Sequence, residues 1–289
     1  MPVHDTIEAV VATGVGGNGK STLLDLFELL LKPKFKASPR VVIRFDMSQI
    51  LFKWGVNLKS PLGARIRKCL PPSALGYYAP DDVTMETLRV WLAEIRQSIP
   101  TARIFLLGGV PRTWPQWEEV LTIFSRAYPV NIDASRQQSD DSMFKRHKER
   151  QKQLMVQGAT SEVRVEKELT PEILNRRWDQ CVTGTFPMLK QMGTQCIHLS
   201  REVELTERLD MFLVELLKRA QGSPWKDIFQ TALNRLRTPT HPIHREIHKI
   251  LHPDDPMNVV TQDDPPVVRR YHFDTSRRPV GDSMLASNR

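Results

Sequence analysis

Gly14-Val15-Gly16-Gly17-Asn18-Gly19-Lys20-Ser21 has the form G-x-x-x-x-G-K-[ST], and its flanks make the reading specific. An apolar run, Ile7 to Ala12, leads into it, and a helical pattern of Leu23, Leu24, Leu26, Phe27 and Leu30 leads out. This spacing predicts a strand, a glycine-rich turn and a helix, the setting in which backbone N–H groups cradle phosphate at the positive end of a helix. Glycines let those groups turn inward. In such a loop Gly14, Val15, Gly16, Gly17, Asn18, Gly19, Lys20, Ser21 and Thr22 would hold ATP. Lys20 would reach the β- and γ-phosphates, and the Ser21 hydroxyl would join the coordination of Mg²⁺.

Outward from the loop, strand-like runs recur at residues 41–45, 103–107, 130–133 and 195–199, each separated by helical pattern. Helices are expected from Met47 to Trp54, from Asp81 or Asp82 through Ile95, from Pro115, from Asp140 or Asp141, from Thr170-Pro171-Glu172, and from Val203 to Ala220. Strands alternating with helices and opened by a phosphate loop predict an α/β fold. The expected form is a three-layer P-loop NTPase-type sandwich on a five-stranded parallel sheet, carrying small insertions. Residues 46–80 form a mixed segment with a basic cluster at Arg65 to Lys68, and residues 151–163 are polar enough to predict a mobile loop.

The sequence has 289 residues, 40% of them hydrophobic and 26% charged, which is ordinary globular composition with ample material for a core. No apolar run is long enough to span a membrane, and the first residues lack a basic-then-apolar signal pattern, so a soluble cytoplasmic protein is expected. Cys69, Cys181 and Cys196 are far apart and form no C-x-x-C pair, which argues against a zinc ribbon or a disulfide framework. A formal charge of +8 suits polyanionic ligands, nucleotide or nucleic acid alike, without separating them.

Together these pieces resemble the adenylate kinase family of nucleoside monophosphate kinases over about residues 7–219. The stretch Leu106-Leu107-Gly108-Gly109-Val110-Pro111-Arg112-Thr113-Trp114-Pro115-Gln116 is similar to that family's LLDGFPRTxPQ signature. The resemblance implies that Arg112 grips the acceptor's phosphate and that Gln116 reads an adenine edge, with Ser48, Lys53 and Gly109 completing the acceptor site. A guanidinium does bind phosphate bidentately, and an amide offers the paired donor and acceptor that adenine requires. A short lid is placed at about residues 147–164, with Arg146 and Arg150, four apart on a helix, just before its loop. Arg164 follows that loop, and Arg177 lies ten residues before Pro187 in Gly184-Thr185-Phe186-Pro187. By resemblance these arginines and Lys20 form the catalytic cation set, Arg146 also touching ATP, and the lid without cysteine carries no zinc. The implied activity is Mg²⁺-dependent phosphoryl transfer from ATP to a nucleoside monophosphate, AMP first.

Three departures from the family pattern stand out. Gly108 replaces an aspartate that orders Mg²⁺, with Asp133 or Asp46 as substitutes. Phe52 replaces an acceptor-site arginine, for which Lys53, Arg65 or Arg67 could stand in, and Glu166-Lys167 replaces two aspartates. Residues 1–220 therefore read as the kinase-like domain. Residues 221–289 read as a proline-rich extension with two short helical pieces and a flexible end from Thr261. His244, His248 and His252 recur every four residues there, beside Ile243, Ile247 and Ile250, which suggests a docking helix for a protein partner or for the core itself. Two alternatives stand beside the adenylate kinase reading. One is a kinase of the same fold acting on another nucleotide or a polynucleotide end. The other is a weakly active nucleotide-binding protein docked by its tail.

Overall fold

The computed structural model describes residues 6–31, 41–57, 60–70, 78–156 and 169–251, with side chains 56–57 and 149–156 outside the description. Five strands carry it: β1 (Glu8–Thr13), β2 (Val42–Asp46), β3 (Ile104–Gly108), β4 (Arg126–Asp133) and β5 (Ile197–Ser200). All neighbours are parallel, in the order β2-β3-β1-β4-β5. The expected α/β P-loop fold is the one observed.

Both sheet faces are covered, which is why the central strands β1 and β3 are buried throughout and read as near-continuous apolar runs. Successive side chains alternate between the two faces. Ala9, Val11, Phe45, Phe105 and Leu107 pack with Trp91 of α4 (Asp81–Ser98), Trp117 of α5 (Trp114–Ile123) and Met188 of α8 (Phe186–Met192). Val10, Ala12, Leu106 and Val130 face the other way. They pack with Phe27 of α1 (Lys20–Leu31), Phe212 of α9 (Leu205–Arg219) and Phe229 of α10 (Lys226–Arg237). From β1 the chain visits β2 and β3 on one side and then crosses to β4 on the other. The loop after β1 therefore stands at the switch point, where ligands bind in sheets of this kind.

Several boundaries differ from expectation, each for a local reason. β4 begins at Arg126, not Val130, because it pairs with β1 from Glu8 and Arg126 onward, whereas its ladder to β5 starts only at Val130. Pro129 thus removes no ladder bond on that side. The helix expected from Asp140 or Asp141 is α6 (Arg136–Val156). Ser135 and Gln138 start it reciprocally: the Gln138 N–H donates to Ser135 Oγ at 3.2 Å, and the Ser135 N–H to Gln138 Oε1 at 2.9 Å. That is a capping box. Residues 151–156, expected to be loop, continue α6 because Gln, Lys, Leu and Met are good helix formers. The rest of the expected lid lies outside the described residues.

In the 46–80 segment, α2 (Met47–Asn57) is joined by α3 (Pro61–Cys69), whose Ser60 cap accepts from Gly63 N at 3.1 Å. The long helix expected from Thr170 is α7 (Pro171–Gln180), running through a π-helical turn at Cys181–Thr185 into α8. β5 starts at Ile197, two residues late, since Gly193–Gln195 forms a 3₁₀ turn.

Of the extension, α10 and α11 (Ile243–Leu251) pack back on the domain core. Phe229 meets Phe27 with ring centroids 6.0 Å apart and Tyr128 at 6.1 Å, and Ile243 and Ile247 are buried. Arg235 donates to the Leu30 carbonyl at 2.7 Å, satisfying a group at the far end of the phosphate-loop helix. His252 and the end from Thr261 lie outside the described residues.

Candidate functional site: the phosphate loop and its cations

At the C-terminal edge of β1 the chain turns through Gly14, Gly17 and Gly19, with φ of 106°, 80° and 98°. Glycine enters this region without the steric cost other residues meet. Space is closed there as well. A Cβ on Gly14 would lie 2.0 Å from Asn131 Oδ1, and one on Gly17 2.4 Å from the Ser139 carbonyl oxygen. Asn18 ties the loop to β4 by donating to the Ile132 carbonyl at 2.8 Å. Ser139 donates to the Gly16 carbonyl, and Arg201 to the carbonyls of Gly17 at 3.1 Å and Gln138 at 2.7 Å. The motif does not reveal Asn131, Ser139 or Arg201 as its supports. Only the fold brings them to it, and the Ser135 capping box, which delivers Ser139, was their one local signal.

Lys20 Nζ donates to the Gly14 carbonyl at 2.9 Å, to the Val15 carbonyl and to Asn18 Oδ1 at 3.0 Å. The residue as a whole is half-buried, with its ammonium held against these loop oxygens. Burial first, and then the charge of Arg112, bring its pKa from 10.5 to about 7; Arg146 adds to the lowering, while Cys181 and Asp46 oppose it. Lys20, Arg112 and Arg146 thus stand within electrostatic reach of one another. Arg177 donates to Met143 Sδ at 3.5 Å and shares a recess beside the loop with Val15, Gly16 and Cys181. Of the catalytic arginines expected from sequence, these three are brought to the loop mouth. Arg150 lies on α6 with its side chain outside the description, and Arg164 lies outside the described residues.

On the acceptor side, Arg112 stacks on Tyr78, its guanidinium carbon 3.5 Å from the ring centroid. Tyr78 is anchored by its N–H to Gln180 Oε1 at 3.1 Å, and its hydroxyl lies 3.6 Å from Cys181 Sγ. Burial raises the Tyr78 pKa. Gly109, at φ 82°, leaves room for Arg112: a Cβ there would be 3.4 Å from Arg112 Nη2 and 3.3 Å from Met47 Cβ.

Gln116 departs from expectation. It is 3% exposed, accepts from the Arg112 N–H at 2.8 Å and donates to Asp81 Oδ1 at 2.7 Å. Its amide is committed to holding the Arg112 loop and is not presented to an acceptor base. The replacements expected for the arginine lost at Phe52 are also engaged elsewhere. Lys53 feels Glu94, Arg65 pairs with Asp82 and Glu86, and Arg67 donates to the Gly55 carbonyl at 3.2 Å. Ser48 donates to Asp46 Oδ1 at 2.6 Å.

Gly108 has an unforeseen neighbour. A Cβ there would lie 3.0 Å from Arg44 Nη1, so a guanidinium of β2, paired with Asp25 at 3.6 Å, fills the space a side chain would take. Asp133 lies across the sheet from Gly108, on β4, beside Asn131 and His198. It helps to line a cavity of about 310 Å³ with Val15, Ser135, Gln138, Phe186 and Glu202. Asp46 ends β2 directly beside Gly108 in the strand register.

Comparison with known proteins adds little. A scan against protein-family models and a search of curated proteins find no match. Among solved structures, the chain is similar to a gluconokinase from Sinorhizobium meliloti 1021 at 12% identity and a TM-score of 0.43, over 76% of this chain and 95% of that one.

Proposed function

We propose that this chain is an ATP-dependent phosphotransferase, with a nucleoside monophosphate, AMP first, as the acceptor implied by its sequence resemblance. One observation carries the phosphotransferase reading: Lys20, Arg112 and Arg146 converge on the phosphate loop closely enough that burial and their charges depress the Lys20 pKa. Assembling cations without an anion is unfavourable, and a triphosphate relieves it. Phosphoryl transfer needs mainly this, positive charge where negative charge builds.

The triphosphate would lie along the Gly14–Thr22 loop with its nucleoside toward the cavity at β4 and β5. Arg112 would hold the acceptor side. The Ser21 hydroxyl, at the head of α1 and without a hydrogen bond among the described residues, is a hard oxygen donor suited to Mg²⁺ together with the nucleotide's own phosphates. When bound, that ion would neutralise β- and γ-phosphate charge. Lys20 would leave the loop carbonyls for those phosphates, and Arg146 and Arg177 would screen the transferring group.

A second reading, transfer to another acceptor such as a different nucleotide or the hydroxyl of a polynucleotide end, is favoured by the inward-turned Gln116 amide, which leaves adenine unread. Product analysis tests the pair. With Mg²⁺-ATP and AMP, two ADP per turnover support the monophosphate acceptor. Transfer only to a hydroxyl compound supports the second reading, and ATP binding without any transfer removes both.

A further inference from the structure

No step of the proposed transfer yet uses the Asp46 carboxylate. It stands at the C-terminal end of β2, in register with Gly108 of β3, which in turn pairs with Ala12 of β1. Strands lie ~4.8 Å apart, so Asp46 is two strand spacings from the phosphate-loop strand, on the acceptor side. One of its oxygens is fixed: Oδ1 accepts from Ser48 N at 3.1 Å, Ser48 Oγ at 2.6 Å and Gln49 N at 3.3 Å. Oδ2 accepts no hydrogen bond among the described residues. Gly108 and Gly109 themselves place no side chain between Asp46 and the loop; the Arg44 guanidinium stands over Gly108, and Arg112 Nη2 and Met47, the first residue of α2, both border Gly109. Asp46 is also the carboxylate whose charge reaches Lys20.

The surroundings matter as much. A phosphate-monoester acceptor would bring about two further negative charges beside the γ-phosphate. The cations expected to meet them are diverted: Lys53 to Glu94, Arg65 to Asp82 and Glu86, and Arg67 to Gly55. A carboxylate adds one more negative charge and would repel such a nucleophile. A neutral hydroxyl has the opposite needs, since it must lose a proton as it attacks, and a carboxylate with one oxygen fixed and one open is the group to take it.

Resting on the phosphotransferase reading, and on its second acceptor class in place of AMP, we propose that the acceptor presents a hydroxyl group and that Asp46 is its general base. The acceptor oxygen forms a bond to the γ-phosphorus as the bond from that phosphorus to the β–γ bridging oxygen breaks. ADP leaves with the bridging oxygen's electron pair, and the hydroxyl proton passes to Asp46 Oδ2 and then to solvent.

Water is the smallest hydroxyl acceptor, so acceptor-free ATP hydrolysis by the full chain tests the base directly. Adenosine and a 5′-dephosphorylated oligonucleotide serve as larger hydroxyl probes, and AMP as the phosphate probe. Asp46→Asn should lower hydrolysis and any hydroxyl transfer by ~10²- to 10⁴-fold while leaving ATP affinity and the circular dichroism spectrum unchanged. Transfer to AMP that Asp46→Asn leaves untouched would overturn the proposal and keep the phosphotransferase. Rescue of the variant by raised Mg²⁺ would overturn it in favour of a metal-ordering role. Wild-type protein that neither binds nor turns over ATP would remove the underlying reading, and the base with it.

Discussion

Lys20 carries the sharpest consequence at the scale of single residues. Folding lowers its pKa, so between about 7 and 10.5 the unfolded chain binds more protons than the folded one. Ligand-free stability therefore rises with pH across that window, and below it the penalty is constant. Phosphate oxygens reverse the cause by favouring the charged ammonium. ATP binding at pH 8.5 should take up close to ~1 proton, read by calorimetry as a binding enthalpy that changes with buffer ionisation. Lys20→Ala should abolish the uptake, and equal enthalpies in two buffers for the wild type would contradict it. The loop lysine was legible from the motif; its depressed pKa was not, because its burial and its nearness to Arg112 and Arg146 are made by the fold. Gln116 shows the converse. Its position in the signature was legible, but Asp81, which claims its amide, belongs to another helix.

Among the elements, α6 links a sequence signal to the site. Ser135 caps it, and one turn later Ser139 reaches the Gly16 carbonyl. Ser135→Ala should cost about 1 kcal/mol in urea unfolding, as lost helix caps do. It should also weaken ATP binding beyond what a solvent-facing control such as Ser98→Ala shows; identical affinities would separate the cap from the loop. The helix start was readable as Ser-x-x-Gln, yet the acidic pair Asp140-Asp141 pointed four residues too far along. Likewise Ser60-Pro61 announced α3, but its basic residues masked the helical apolar pattern of Leu62 and Ile66. Strand β4 was read only from Val130, and its first four residues are set by pairing with β1, a partner the sequence does not name.

For the molecule as a whole, the binary pattern and the loop sufficed to give the parallel sheet and its two covering layers. What they did not give is where the extension goes. Proline spacing after Gly222 suggested a separate texture, whereas Phe229, Leu233 and Ile247 complete the layer over α1. Such partnerships are made between surfaces far apart in sequence, and periodicity within one helix does not name its partner. Phe229→Ala should destabilise the protein by about 3–5 kcal/mol, the range for a large buried aromatic, measured by urea denaturation. A loss below about 1 kcal/mol would mean that α10 is dispensable to the core.

All three scales meet in the claim that the loop and its cations transfer phosphate from ATP. The most direct test follows ADP formation from Mg²⁺-ATP, with water, adenosine and AMP in turn, for the wild type beside a folded Lys20→Ala. The account predicts turnover in the wild type and a loss of at least ~10²-fold in the variant, the scale of removing a preorganised charge from a transferring group. Equal turnover in the two proteins would contradict it.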